Sequence, residues 1–255
     1  MIPLREQEYI RERFGRELQG KVKIDYFTQK SSPLYVPGRE ECVTCEDTRQ
    51  LLEEVASLSD KITLTVREFS EAQEEARKLG VDKVPGIVLR GPANRPLRFF
   101  GIPSGNEFPT FIEAIIDLSK PRVEAGGERA KQLKKLKENV SLTVYVTPTC
   151  PYCPGVVRAA YRLALASPRI EAAAVEIAEF PRLAQQLGVR AVPLTVINDR
   201  ATIAGAVDEA GLLEAALKAV EGGPLGAPTQ TSGGATSQAT PGAGRPPTSG
   251  LVLPR

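Results

Sequence analysis

Residues 147–155, TPTCPYCPG, decide how the rest of the chain is read. Two cysteines separated by two residues form either a pair that exchanges disulfides or half of a zinc site. Just ahead lies an extended apolar run, 142–146; just after, Val156, Ala160 and Leu163 fall on one helical face. A strand that runs through CxxC into a helix predicts the first cysteine at the helix N-terminus. There the free N–H groups and the macrodipole favour a thiolate by roughly 0.3–1 kcal/mol. The second cysteine is expected about one turn along, and Pro151 in the first turn, where its missing N–H costs nothing. Disulfide exchange needs an exposed thiolate with a resolving thiol in reach, and this spacing supplies both.

A second pair, Cys42-Val43-Thr44-Cys45, lies far upstream, and the octapeptide KLGVDKVP at 78–85 returns as QLGVRAVP at 186–193. Both motifs recur at one offset of 108 residues, from 42 to 150 and from 85 to 193. The chain is therefore read as a duplication. In each half an extended run (22–27; 142–146) leads through CxxC into a helix. A short strand (62–66; 172–177) and a second helix ending at Leu-Gly-Val come next. After the Val-Pro step lie two strands (86–89 with 97–100; 194–197 with 202–204) and a closing helix (about 107–118; 208–220). The expected fold class is α/β, two βαβαββα units each with a preceding helix. Hairpin turns are expected at Arg95-Pro96 and Asn198-Asp199-Arg200. The organisation predicted is 1–120, 121–221 and a disordered tail over 222–255, whose Gly-, Pro- and Ser-rich composition holds almost no large apolar residues.

Composition narrows the chemistry. The 255 residues carry no histidine, which excludes imidazole bases, imidazole ligands and the Cys-His nucleophile pair. A net charge of +2 gives no reason to expect nucleic acid or an anionic membrane. No apolar run approaches the ~20 residues that span a bilayer. The N-terminal MIPLREQEYIRERFGREL reads as an amphipathic helix with Ile10, Phe14 and Leu18 on one face rather than as a signal peptide, so a soluble, cytoplasmic protein is expected. The basic run KQLKKLKEN at 131–139 reads as a solvated helix face. All four cysteines stand in CxxC pairs, which in a reducing compartment points to catalysis or metal binding. One methionine in an Arg- and Glu-rich chain agrees with a thermophilic source, where intracellular disulfide chemistry is common.

Each Val-Pro step stands 40 residues beyond its second cysteine, 45 to 85 and 153 to 193. A cis bond at both Pro85 and Pro193 is the expectation, because it leaves the carbonyl and N–H of Val84 and Val192 free for an extended substrate. At this point CPYC, the Val-Pro step and the βαβαββα order resemble the thioredoxin/glutaredoxin fold. The duplication, with FFGIPSGNEF at 99–108, resembles the tandem protein disulfide oxidoreductases of thermophiles over about 1–221. That resemblance implies an enzyme that reduces, forms or isomerises protein disulfides, partnered by protein dithiols and fed by a thioredoxin reductase, with no cofactor and no metal. Carried over by position, Cys150 attacks, Cys153 resolves, and Val192, Pro193 and Tyr152 meet the substrate. Cys42, Cys45, Val84 and Pro85 match the same roles in the first unit. The redox disulfides implied are Cys150-Cys153 and Cys42-Cys45.

The first unit departs from that pattern. Its pair is CVTC without the aromatic of Tyr152, and its approach is longer, with Thr28 lying 14 residues ahead of Cys42 against 3 from Thr147 to Cys150. Glu40, Glu41, Glu46 and Asp47 crowd it, which predicts a raised thiol pKa and a slower, more reducing site. Three other readings stand beside the oxidoreductase. Four thiolates could bind zinc, but the pairs are 104 residues apart and each has its own unit. A glutathione-dependent glutaredoxin shares CPYC, but this chain has Ala191 before Val-Pro and Gly205-Ala206 near the last helix. An electron-relay module of a flavoprotein peroxide reductase also has paired thioredoxin folds, although such modules typically lose the first cysteines.

Overall fold

The structure is a computed structural model that describes residues 2–30, 41–121 and 126–221. The tail expected beyond Glu221 lies outside the described residues. The first unit runs α1 (Leu4–Glu17), β1 (Val22–Thr28), α2 (Cys45–Ser57), β2 (Ile62–Glu68), α3 (Gln73–Leu79), β3 (Gly86–Arg90), β4 (Leu97–Phe100) and α4 (Glu107–Ser119). The second repeats the order: α5 (Gly127–Lys135), β5 (Val140–Val146), α6 (Cys153–Ala166), β6 (Ile170–Glu176), α7 (Pro181–Leu187), β7 (Leu194–Ile197), β8 (Ala201–Ala204) and α8 (Glu209–Val220). A short 3-10 turn, Ile177–Glu179, comes directly after β6.

The repeated Leu-Gly-Val is a helix stop. Gly80 (φ 68°) and Gly188 (φ 60°) take the left-handed conformation after α3 and α7, as glycine does readily. The next N–H turns back on the helix, Val81 to the Ala76 carbonyl at 2.8 Å and Val189 to Ala184 at 3.0 Å. Both Val-Pro bonds are cis. Beyond each, the proline carbonyl accepts from a glycine N–H after the hairpin, Gly101 to Pro85 and Gly205 to Pro193, both at 2.9 Å. The second hairpin turns on Asn198 and Asp199, both at positive φ. The first does not turn on Arg95-Pro96. Its turn is closed earlier, by the Asn94 N–H on the Gly91 carbonyl at 3.0 Å, with Asn94 at φ 49°. Asn tolerates that region and arginine does not, so the bend settles there.

Among the described residues the strands form one eight-stranded sheet, ordered β2-β1-β3-β4-β6-β5-β7-β8. The units join where β4 and β6 pair in parallel, Leu97 with Ala172 through Phe100 with Val175. This pairing removes an open edge from each unit. Helices α1, α2, α4, α6 and α8 cover one face over a core that includes Phe14, Ile24, Tyr26, Leu52, Phe111, Val144 and Leu163. Helices α3 and α7 cover the other face over Phe27, Val88, Phe100 and Val175. Each fully buried large aliphatic or Phe side chain adds roughly 1.5–3 kcal/mol. Arg13 of α1 and Arg158 of α6 both pair with Glu113 of α4, at 2.8 and 3.0 Å, tying the units together on the helical face. The basic run forms the solvated side of α5 and of the residues just beyond it; Leu133 and Leu136 turn inward. Among the described residues no helix is long and apolar enough to cross a membrane.

Candidate functional site

The pairings that lead from β1 to β5 are antiparallel (β1–β3, β3–β4) and then parallel (β4–β6, β6–β5). Two reversals restore the direction, so β1 and β5 point the same way. Both cysteine pairs come after these strands and therefore emerge at one end of the sheet. They are four strand spacings apart, roughly 19 Å at about 4.8 Å per spacing. Both are closed as disulfides, with Cα atoms 5.4 Å apart for Cys42–Cys45 and 5.5 Å for Cys150–Cys153. The Val-Pro steps sit at the same end. Leu194 pairs with Tyr145 and Gly86 with Phe27, which puts Pro193 and Pro85 level with the C-terminal ends of β5 and β1. Pro85 and Pro193 are buried, while Val84 and Val192 are half-buried.

Two local expectations need correction. Each helix starts on the second cysteine, not the first: α2 at Cys45 and α6 at Cys153. The preceding residue, Thr44 or Tyr152, has ψ near zero (4° and −18°), which opens a turn before the helix begins. Pro151 thus lies in the turn, and Pro154 takes the first helical turn. The helix end still reaches the first cysteine, because the Cys153 N–H donates to Cys150 Sγ at 3.1 Å. The second correction concerns exposure. Cys150 is only 7% exposed and Cys153 fully buried, whereas Cys42 is half-buried above a buried Cys45. The open groups are two residues between the cysteines that face outward, Val43 at 89% and Tyr152 at 68%.

Around the first disulfide, the Cys42 N–H donates to Gln29 Oε1 at 3.2 Å and the Gln29 N–H to Cys45 Sγ at 3.4 Å. The Tyr26 hydroxyl donates to the Cys45 carbonyl at 2.6 Å, and burial pushes its pKa up to about 12. Of the acids expected to burden this site, Glu41, Glu46 and Asp47 are exposed, where salt screens them, and Glu40 lies outside the described residues. Among the described residues, the carboxylate that hydrogen-bonds to the turn is Glu179 of the second unit, which accepts from the Thr44 hydroxyl. In α6, Arg158 donates to Glu113 of α4 at 3.0 Å.

Three carboxyl groups escaped the sequence reading. Glu107, at the start of α4, is 1% exposed, both its oxygens lack a hydrogen-bond partner, and burial pushes its pKa up to about 7. It had a signal: Glu107 opens the helical row Glu107, Phe111, Ala114, Ile115, Leu118, which is otherwise apolar and buried. Glu176, 3% exposed, is also pushed up to about 7, by burial first. Glu179 had no signal, since its partner Thr44 is 135 residues away.

A family model described as a thioredoxin domain matches residues 140–218, within the second unit. The F component of the alkyl hydroperoxide reductase of Pseudomonas putida is 28% identical over 183 residues, covering 71% of this chain and 33% of its own length. The chain thus spans about a third of that curated relative. A protein disulfide oxidoreductase from Aeropyrum pernix K1 superposes with a TM-score of 0.74 at 28% identity, over 88% of this chain and 95% of the other. A structure of the same alkylhydroperoxide reductase component, AhpF, from Enterococcus faecalis V583 gives 0.73 at 27% identity, over 84% and 98%. The chain is a tandem thioredoxin-fold protein.

Proposed function

We propose that this chain, two thioredoxin-fold units divided near residue 120, is a dithiol/disulfide oxidoreductase that reduces, forms or isomerises protein disulfides. The observation that carries the reading is the pair of closed CxxC disulfides at one end of a single sheet. In the reducing direction Cys150, as thiolate, attacks a client disulfide. The Cys150–client mixed disulfide forms and one client thiolate leaves. Cys153 then attacks Cys150 Sγ, the second client sulfur leaves, and Cys150–Cys153 closes. Two electrons pass to the client, which ends as a dithiol. The Cys153 N–H contact favours the thiolate state of Cys150, and the half-buried Val192 offers backbone groups to an extended client at the level of the C-terminal end of β5. Cys42–Cys45 with Val84-Pro85 performs the same exchange, and a reducing cytoplasm with a thioredoxin reductase closes the cycle.

The similarity to the alkyl hydroperoxide reductase component AhpF favours a second reading, an electron relay to a peroxide-reducing thiol protein. One set of assays separates the readings. Insulin reduction is followed with dithiothreitol, with NADPH and a thioredoxin reductase, and with glutathione; peroxide consumption is followed with a peroxiredoxin as acceptor. Turnover of insulin with the first two donors supports the oxidoreductase. Turnover confined to the peroxiredoxin supports the relay, and turnover only with glutathione a glutaredoxin. No turnover with any donor overturns the proposal.

A further inference from the structure

Thr44 occupies the N-cap of α2, the position where a hydroxyl ordinarily accepts from a free N–H of the first turn, yet it makes no such cap. Its hydroxyl donates instead to Glu179 Oε2 of the second unit, while Glu179 Oε1 accepts the Ile102 N–H at 2.6 Å. The corresponding residue of the second disulfide, Tyr152, points into solvent. Behind Glu179 lies Glu176, buried and accepting the Ala178 N–H at 3.1 Å. Both acids press on Gly101: a Cβ there would stand 2.8 Å from Glu176 Cβ and 2.8 Å from Glu179 Oε1. Among the described residues, charged and polar groups that meet this turn come from β1 (Tyr26), the segment after it (Gln29), α2 itself (Glu46, Thr48) and the 3-10 turn (Glu179).

We propose that Glu179 is a positioning residue for the first disulfide, a carboxylate lent by the second unit that holds the CVTC turn through Thr44 and makes Cys42–Cys45 the more reducing couple. The inference rests on the functional reading above. When Cys42–Cys45 is reduced by a donor dithiol, its S–S bond breaks, two electrons and two protons move to it, and the donor closes as a disulfide. A carboxylate anchored to the residue before Cys45 disfavours any thiolate in the reduced form, and the oxidised form bears no such charge. The reduced state is therefore the one that loses stability, and the potential falls. Burial, and then the charge of Glu179, holds the neighbouring Glu176 carboxyl up to about 7, which marks this pocket as one where added negative charge is costly.

The test is a redox titration of the full chain carrying Cys150→Ser and Cys153→Ser, so that only the first couple reports, with thiol labelling against dithiothreitol or glutathione buffers. Glu179→Gln keeps the shape and an acceptor oxygen for Thr44 but removes the charge. It is expected to shift the equilibrium about tenfold towards the dithiol, a potential less negative by about 30 mV. Thr44→Val, which cuts the link and leaves Glu179 charged, is expected to shift it the same way. In the Cys42→Ser and Cys45→Ser background neither change moves the second couple. An unmoved first couple in both variants, or equal shifts in both couples, overturns the inference. The titration needs no client: turnover of insulin with an unmoved couple sinks this inference alone, and a shifted couple without turnover sinks the functional reading alone.

Discussion

Gly105 packs directly against the backbone of Pro148: a Cβ on this glycine would stand 2.4 Å from the Pro148 carbonyl oxygen, which also accepts the Asn106 N–H at 2.9 Å. The loop between β4 and α4 of the first unit is thus seated on the loop that delivers Cys150. Gly105 is also at φ 58°, where a side chain costs roughly 1–2 kcal/mol before any clash. Gly105→Ala is expected to lower stability by at least that amount in urea titrations and to slow client reduction through Cys150. A variant as stable and active as the parent would show that this seat has no consequence.

Accessibility orders the two thiols of the second site. Cys150 retains some exposure and Cys153 none, so after reduction Cys150 is expected to be alkylated at least about tenfold faster. Cys150→Ser should remove most reductase turnover. Cys153→Ser should still attack and accumulate as a mixed disulfide with its client, visible as a higher-mass species on non-reducing gels. Faster labelling of Cys153 would reverse the assigned roles.

Glu107 predicts a pH dependence of stability. Its carboxyl titrates at about 7 in the fold against an ordinary 4.5, so the native state binds the extra proton between those values. Stability is therefore highest below about 4.5, as far as this group decides it, and falls as pH rises through 7, by about 3 kcal/mol in all. Glu176 acts in the same direction. Glu107→Gln should narrow the gap between urea midpoints at pH 5 and pH 8, whatever its effect at either pH alone. An unchanged gap would mean that Glu107 is not the titrating group.

Asp25 of β1 is buried and held by Arg67 of β2, at 2.5 Å, and by Arg90 of β3, whose Nε lies 2.9 Å away. One carboxylate thus ties three adjacent strands of the first unit. Asp25→Ala leaves two cations without it and is expected to cost about 3 kcal/mol, less than a fully enclosed pair because both arginines keep some exposure. Urea titration measures the loss. A cost below about 1 kcal/mol would mean that water replaces the carboxylate.

Local order is where the sequence was most legible. The helical spacing of Val156, Ala160 and Leu163 described α6, because burial of one helical face leaves a period that neighbouring residues record. Leu-Gly-Val announced the end of α3 and of α7, because glycine enters the left-handed region at the least cost. The 108-residue offset declared two copies of one unit. What was misread also has a local cause: the turn at Thr44 and Tyr152 opens before the helix, and residue type alone does not reveal a ψ near zero.

How the two copies meet was decided by the tertiary structure. The β4–β6 pairing turns two sheets into one and so brings both disulfides to the same end, a relation carried by backbone hydrogen bonds that no side-chain pattern encodes. The same pairing delivers Glu179 to Thr44, and Gly105 to Pro148, across unit boundaries. Spacing within a sequence reports contacts made over one or two turns of chain. Contacts between residues 135 positions apart depend on how whole elements pack, so the chemistry of each CxxC was visible in the sequence, and its surroundings were not.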